Sequence, residues 1–200
     1  MPNNSATGGT LLPAAPAPLE GQSLDRFLQQ VVAAVTGLDG TLVRPRWQKE
    51  PPNMPRVGTD WAAVGVMRRE ADTYASVMHS EHTPGADTVF RQEKLHVLVS
   101  FYGDTAADNA GRLREGLSVA QNREILDTVD MAYIGADETV TAPSLVNERW
   151  QYRVDLPMVF VRAIRRTYPV LNLLSASGSI VTDNDPQLVE PINVPVGDTA

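Results

Sequence analysis

From Trp150 to Phe160 every second residue is apolar: Trp150, Tyr152, Val154, Leu156, Met158 and Phe160 are interleaved with Gln151, Arg153 and Asp155. Successive side chains of a strand point to opposite faces, so this alternation demands a strand with one buried face and a sheet with a core on that side. The strand is expected over roughly 147–166. Pro157 lacks the N–H that a ladder uses, which predicts an edge strand or a bulge at that point. A second alternation sets Leu95, Val97, Val99 and Phe101 against Lys94, His96 and Ser100, within a strand expected over Val89–Tyr102. Two more runs, Trp61–Arg69 and Thr73–His82, precede it. Glu70-Ala71-Asp72 and the Thr83–Asp87 stretch read as hairpin turns, so the three runs predict an antiparallel meander. A short strand is expected near Met131–Ile134.

Helical spacing appears elsewhere. Leu24, Phe27, Leu28, Val31, Val35 and Leu38 recur at intervals of three and four after Ser23, a residue suited to an N-cap, and Gly37 with Asp39-Gly40 ends the run. Ala106, Ala110, Leu113 and Leu117 form the apolar stripe of a second helix opened by Gly103-Asp104-Thr105. Ser118 and Gln121 resemble a capping box for a short third helix carrying Ile125, Leu126 and Val129. Between the first helix and the first strand, Pro45, Pro51, Pro52 and Pro55 exclude regular helix, and the segment is expected to lie extended across a surface. Residues 1–22 are rich in Pro, Gly and Ala and read as an arm that orders against a partner. Residues 181–200 hold acidic but no basic residues and read as a second arm. The whole predicts one α+β domain over 23–180, mainly antiparallel sheet packed by two or three helices, with an arm at either end.

The chemistry is sparse. The chain has no cysteine, which removes disulfides, thiolate nucleophiles and cysteine-based zinc sites. No apolar run approaches the ~20 residues needed to span a membrane, and the first 21 residues have neither the basic start nor the apolar stretch of a signal peptide. Neither G-x-x-x-x-G-K-[ST] nor G-x-G-x-x-G occurs, and Ser175-Ala176-Ser177-Gly178-Ser179 is not a nucleophile elbow. His79 and His82 flank Glu81, but two residues three apart on a strand point to opposite faces, so they read as solvated or packed in the hairpin, with His96 able to pair with one of them across it. Asp183-Asn184-Asp185 begins like a calcium loop and lacks the glycine and glutamate that would follow. No enzymatic activity and no cofactor are expected.

Seventeen basic against 24 acidic residues give a net charge of −7. General nucleic-acid binding relies on clustered Lys and Arg and is disfavoured by that balance. Against this background two basic stretches stand out: Arg44, Arg46, Lys49 and Arg56, then Arg149, Arg153, Arg162, Arg165 and Arg166. Trp47 lies in the first, either as an anchor for a neighbour or as a ring pinned into its own core. With acidic tails on the same chain, the stretches read as subunit-to-subunit charge pairing, with Arg44, Arg46, Trp47, Arg149, Arg153, Arg162, Arg165 and Arg166 as interface residues. An ordinary mixed surface and a DNA-contacting patch are the alternatives.

Several stretches resemble a known family: Val35-Thr36-Gly37-Leu38-Asp39-Gly40-Thr41-Leu42-Val43-Arg44-Pro45-Arg46-Trp47-Gln48; Trp61 with Gly65; Leu98-Val99-Ser100-Phe101-Tyr102-Gly103; Leu113-Arg114-Glu115-Gly116-Leu117 with Gln121-Asn122-Arg123; Leu145-Val146-Asn147-Glu148-Arg149-Trp150; and Arg165-Arg166-Thr167-Tyr168-Pro169-Val170-Leu171. Over roughly residues 24–180 they are similar to the neck terminator proteins of phage tails. The resemblance implies a virion protein made in the host cytoplasm, with a small α/β fold and a homohexameric ring. Such a ring ends the tail tube, and the sheath if the tail contracts, and joins the tail to the head-side connector or stopper. DNA would meet it only in transit through the lumen, and no membrane is involved. The family supplies no catalytic residues. Another neck or baseplate protein is the runner-up within this class, and a nucleic-acid-binding module the alternative outside it.

Overall fold

The fold is seen in a computed structural model that describes residues 3–14, 18–50, 53–82, 84–146, 148–173, 175–182 and 185–195, with side chains described up to residue 173. In chain order its elements are α1 (Gly21–Thr36), β1 (Val43–Pro45), β2 (Trp61–Ala71), β3 (Ser76–Ser80), β4 (Ala86–Tyr102), α2 (Ala106–Gly116), α3 (Ala120–Asp127), β5 (Met131–Ala136), β6 (Val140–Thr141), β7 (Ser144–Val146), β8 (Arg149–Gln151), β9 (Arg153–Tyr168), β10 (Ser175–Thr182) and β11 (Asp185–Pro195). The architecture is α+β, as expected: three helices and a mixed, mostly antiparallel sheet of seven strands. The sheet runs β1-β2-β4-β9-β5, with β3 also paired to β4 and β6 to β9, while β7–β8 and β10–β11 are separate two-stranded ladders. The chain divides into two units, residues 16–76 with 90–165 and residues 1–15 with 77–89 and 166–200.

The larger unit holds the core. Alternate residues of the sheet (Val64, Leu95, Val97, Val99, Phe101, Val154, Leu156, Met158 and Phe160) are buried in one cluster with Leu24, Phe27, Leu28, Val31 and Val32 of α1 and Ala106, Ala110 and Leu113 of α2. Burying each large apolar side chain contributes about 1.5–3 kcal/mol, which explains why both periodicities legible in the sequence end on this cluster. At the crossing of α1 and α2 a methyl group on Gly116 would collide with Val35. The helix α1 starts three residues earlier than its serine suggested. Glu20 is the N-cap, and Ser23 reaches back from the third helical position, its Oγ accepting from the Glu20 N–H at 3.2 Å and donating to the Glu20 carbonyl at 2.7 Å. Gly37, with φ at 77°, closes the helix as expected, its N–H on the Ala33 carbonyl.

Four other expectations are corrected. The strands of 61–102 are not a meander, because β2 pairs with β4, from Trp61 opposite Tyr102 to Ala71 opposite Glu93. Glu70 and Ala71 are rungs of that ladder and not a hairpin turn. Ser118 does not cap α3, since its hydroxyl donates to the Arg114 carbonyl behind it and Val119 is the N-cap; of the third helix's expected core, Leu126 alone is fully buried within the helix. The strand expected over 147–166 breaks at Tyr152, and Trp150 and Tyr152 are exposed while Val154, Leu156, Met158 and Phe160 are buried. Finally, β9 is an internal strand despite Pro157. The Pro157 carbonyl takes the Asp137 N–H at 2.9 Å, so the side with the missing donor faces the gap between β5, which ends opposite Met158, and β6, which starts opposite Asp155.

In the smaller unit, residues 3–14 run against Thr167–Leu171: the Ser5 N–H donates to the Pro169 carbonyl, the Ala14 N–H to the Thr167 carbonyl, and the Leu171 N–H to Ser5 Oγ. The Ser/Gly-rich stretch from Ser175 is the strand β10, paired antiparallel with β11. Residues 196–200 and Asp183-Asn184, part of the expected acidic arm and its calcium-like triplet, lie outside the described residues.

Candidate interface

The larger unit's sheet has a second face, and the ladder registers dictate what stands on it. Trp61, Ala63 and Gly65 of β2 point to it and lie opposite Tyr102, Ser100 and Leu98 of β4. On the other side of β4, Ser100 meets Asp155 and Glu93 meets Arg162, a seven-residue step in opposite senses that makes β9 antiparallel to β4. Arg153 and Asp155 therefore share the face. At the far edge β1 is parallel to β2 and sets Arg44 beside Ala63.

Polar and aromatic side chains tie these strands together. Trp61 and Tyr102 stack with ring centroids 4.1 Å apart and planes 5° from parallel, and the Arg44 guanidinium sits 5.8 Å above the Trp61 ring while donating to the Asn53 carbonyl. Arg46 donates to Ser100 Oγ at 2.6 Å, Ser100 donates to Asp155 at 2.5 Å, and Arg153 donates to the other Asp155 oxygen at 2.8 Å. Arg153 thus bonds the Asp155 carboxylate directly and Arg46 reaches it through the Ser100 hydroxyl. Arg46 Nε, Arg153 Nε and Trp61 Nε1 are buried donors without an acceptor among the described residues; leaving such a donor unmet costs about 1–3 kcal/mol. Gly65 makes the arrangement feasible, because a Cβ there would lie 2.9 Å from Arg46 Cβ and 3.3 Å from Trp47 Nε1. Trp47 is 58% exposed, with its indole N–H on the Val66 carbonyl at 3.3 Å.

Of the residues expected at an interface, Arg44, Arg46, Trp47 and Arg153 come together here. Arg162 does not: it is 3% exposed on the helix side of β9, where it donates to Glu93 at 2.6–2.7 Å, to Glu20 at 2.7 Å and to the Leu19 carbonyl at 2.5 Å. Its charge is spent inside the fold. Arg165 is exposed, 3.3 Å from Asp130 and 5.8 Å from the Phe90 ring. Arg149 is exposed on the β7–β8 hairpin and Arg166 belongs to the smaller unit. Trp61, Tyr102, Ser100 and Asp155 were not singled out as interface residues. The signal was present in the even positions of β4 and the odd positions of β2 and β9, but a face defined by three strands needs the register, which one sequence does not supply.

No group of three or more metal-binding side chains exists among the described residues. His79 and His96 do not pair: His79 contacts Asp87 at 2.6 Å and Asn172 at 2.7 Å, and His96 contacts Arg68. The bond to Asp87, seconded by Asn172, raises the His79 pKa. Burial pushes Glu20 upward, but the guanidinium groups of Arg69 and Arg162 outweigh it and hold Glu20 below its usual range. Asp25 is raised by burial, with Arg69 opposing. No helix among the described residues is long and apolar enough to cross a membrane.

A face of arginines and aromatics stacked across β-strands is suited to binding another macromolecule. Comparison with curated proteins finds no match. Comparison with protein families does: the description "Phage neck terminator protein" belongs to a family whose profile matches residues 22–185, from the start of α1 into β11. That span takes in every strand of the arginine face, and the chain is a member of the phage neck terminator protein family.

Proposed function

We propose that copies of this chain close into a homohexameric ring at the neck end of the phage tail, where the ring ends polymerisation of the tail tube and joins the tail to the head-side connector. The family match over residues 22–185 carries this reading. The arginine face supports it physically. Arg44, Arg46 and Arg153 outnumber Asp155, so the face favours a surface that brings carboxylates, and a chain of net charge −7 has many to offer a neighbouring copy. Two different patches of identical subunits meeting in this way is the heterologous contact that closes rings. Where the tail is contractile, the same ring ends the sheath. DNA crosses the lumen without being held, since the acidic balance disfavours tight phosphate binding.

The test is electron microscopy of particles from a phage that lacks the gene. Overlong or ragged tails unattached to full heads are expected. Normal infectious particles would overturn the reading.

A further inference from the structure

The sheet of the larger unit runs β1-β2-β4-β9-β5, so its edges are β1 on one side and β5, with β6 beyond it along β9, on the other. Helix α1 packs against β1 and α3 against β5. The two edges carry opposite charge. Residues 41–58, which hold β1 and lead from it towards β2, contain Arg44, Arg46, Lys49 and Arg56 against the single acid Glu50. The stretch between Arg123 and Arg149, which runs from α3 through β5 and β6 to β7, contains six acidic residues and no Lys or Arg. No other interval between successive Lys or Arg residues holds more than four acids.

Much of this charge is not used inside the fold. At the β5 edge, Arg165 is engaged with Asp130 and Arg114 with the Asp137 carbonyl. The carboxylates of Glu124, Asp127, Asp137 and Glu138 are exposed and have no hydrogen bond or ion pair among the described residues. Arg123, in the same helix as Glu124 and Asp127, offsets one of the four. At the β1 edge, Lys49 and Arg56 are likewise exposed and unpaired among the described residues. Each edge also exposes apolar side chains: Trp47 and Met54, at 58% and 63%, on the first, and Ile134 and Val140, at 63% and 54%, on the second. Apolar area supplies affinity in a contact, and the charges around it select the partner and the register.

These edges select their own occupants. Two β5 edges meeting would set acid against acid, and two β1 edges base against base, so a two-fold contact through either is disfavoured. Unlike edges are complementary, and every copy carries both. A contact between unlike edges is heterologous, and its repetition closes a ring. We infer that the β5 edge of one copy docks on the β1 edge of the next, with the carboxylates of the first facing the cations of the second. The inference rests on the assembly reading and names the surfaces that assembly uses; the charges of the two edges do not depend on it. Arg44 and Arg46 make the β1 edge continuous with the arginine face.

Charge reversal on the full chain tests it, with association followed by sedimentation velocity. One variant carries Glu124→Lys, Asp127→Lys and Glu138→Lys, the other Lys49→Glu and Arg56→Glu. All five side chains are exposed, so both variants are expected to fold, which melting curves will verify. Should a reversal unfold the chain, Glu124→Gln, Asp127→Asn and Glu138→Gln read the same contact, with a smaller loss expected. Each reversal alone should weaken self-association about 10-fold or more, because it sets like charges together. An equimolar mixture of the two reversed variants should regain most of that loss, since every contact between unlike variants again joins opposite charges. A variant that associates like the wild type overturns the inference, and so does a mixture that associates no better than its components. Wild-type chain that stays monomeric up to about 1 mM overturns it as a self-contact, whereas the neck reading is decided separately by the deletion phage.

Discussion

At the scale of single residues, Arg162 is tightly held. It is almost fully buried, and three groups from distant parts of the chain, Leu19, Glu20 and Glu93, are arranged around it. Removing one partner of such a pair leaves an uncompensated charge, so Glu93→Gln or Arg162→Met is expected to cost about 3–5 kcal/mol in chemical denaturation. Glu93→Leu combined with Arg162→Met should recover most of that loss, because an apolar pair of similar volume carries no desolvation penalty. The Glu20 pKa is depressed by Arg69 and Arg162, so its contribution is present above the unfolded pKa and lost as pH falls through the folded one; denaturation midpoints should drop on acidification below about 4.5. His79 runs the other way. Asn172 donates its amide N–H to the Glu81 carbonyl, which leaves its oxygen to accept from one ring nitrogen while Asp87 accepts from the other. Protonated imidazole satisfies both, and the folded pKa is raised. The stabilisation is complete below the ordinary histidine pKa and is lost as pH rises through the folded value. Titration of the His79 ring by NMR should place its midpoint above 6.5, and a midpoint at or below that value would sink the assignment.

At the scale of elements, turns and helix crossings are where the fold is most easily broken. Gly103, between β4 and α2, has φ at 100°, and a methyl group there would run into Asp60. Gly103→Ala should destabilise the protein by more than the ~1–2 kcal/mol of left-handed backbone strain alone, read by thermal or chemical unfolding. Leu113→Ala, in the buried stripe of α2, should cost about 2–5 kcal/mol. These elements also show what was legible beforehand. The stripe Ala106, Ala110, Leu113 and Leu117 is buried in full, since helical periodicity is a local property. The alternation of β9 holds from Val154 onward and fails at Trp150 and Tyr152, where the chain leaves the sheet for a hairpin whose apolar residues face outward. Periodicity reports that one face is apolar; it does not say whether the protein's own core or a neighbour covers it. Sheet order was illegible for a related reason. The ladder between β2 and β4 skips β3 in sequence, and pairing of non-consecutive strands leaves no trace in local composition.

At the scale of the whole molecule, the arginines were legible as a charge anomaly but not as a set. Arg44, Arg46 and Arg153 converge because β1, β2, β4 and β9 lie side by side, while Arg162, nine residues beyond Arg153 in the same strand, points to the opposite face. If charge pairing between copies drives assembly, the association constant should fall as salt rises, because screening shortens from about 10 Å at 0.1 M to 3 Å at 1 M; sedimentation at a series of salt concentrations will show it, and an association strengthened by salt would point to an apolar interface instead. The ion group around Arg162 also sets a clock. Glu20 and Arg162 are separated by 142 positions, and a ribosome delivers Glu20 first, Glu93 later and Arg162 last of the three. Until then α1 lacks the partner that locks its start, and Arg153 and Asp155 have only just been added. A nascent chain consequently displays no finished arginine face. If copies meet through that face, neighbouring ribosomes on one message cannot tangle their products through it before each chain has grown past Asp155.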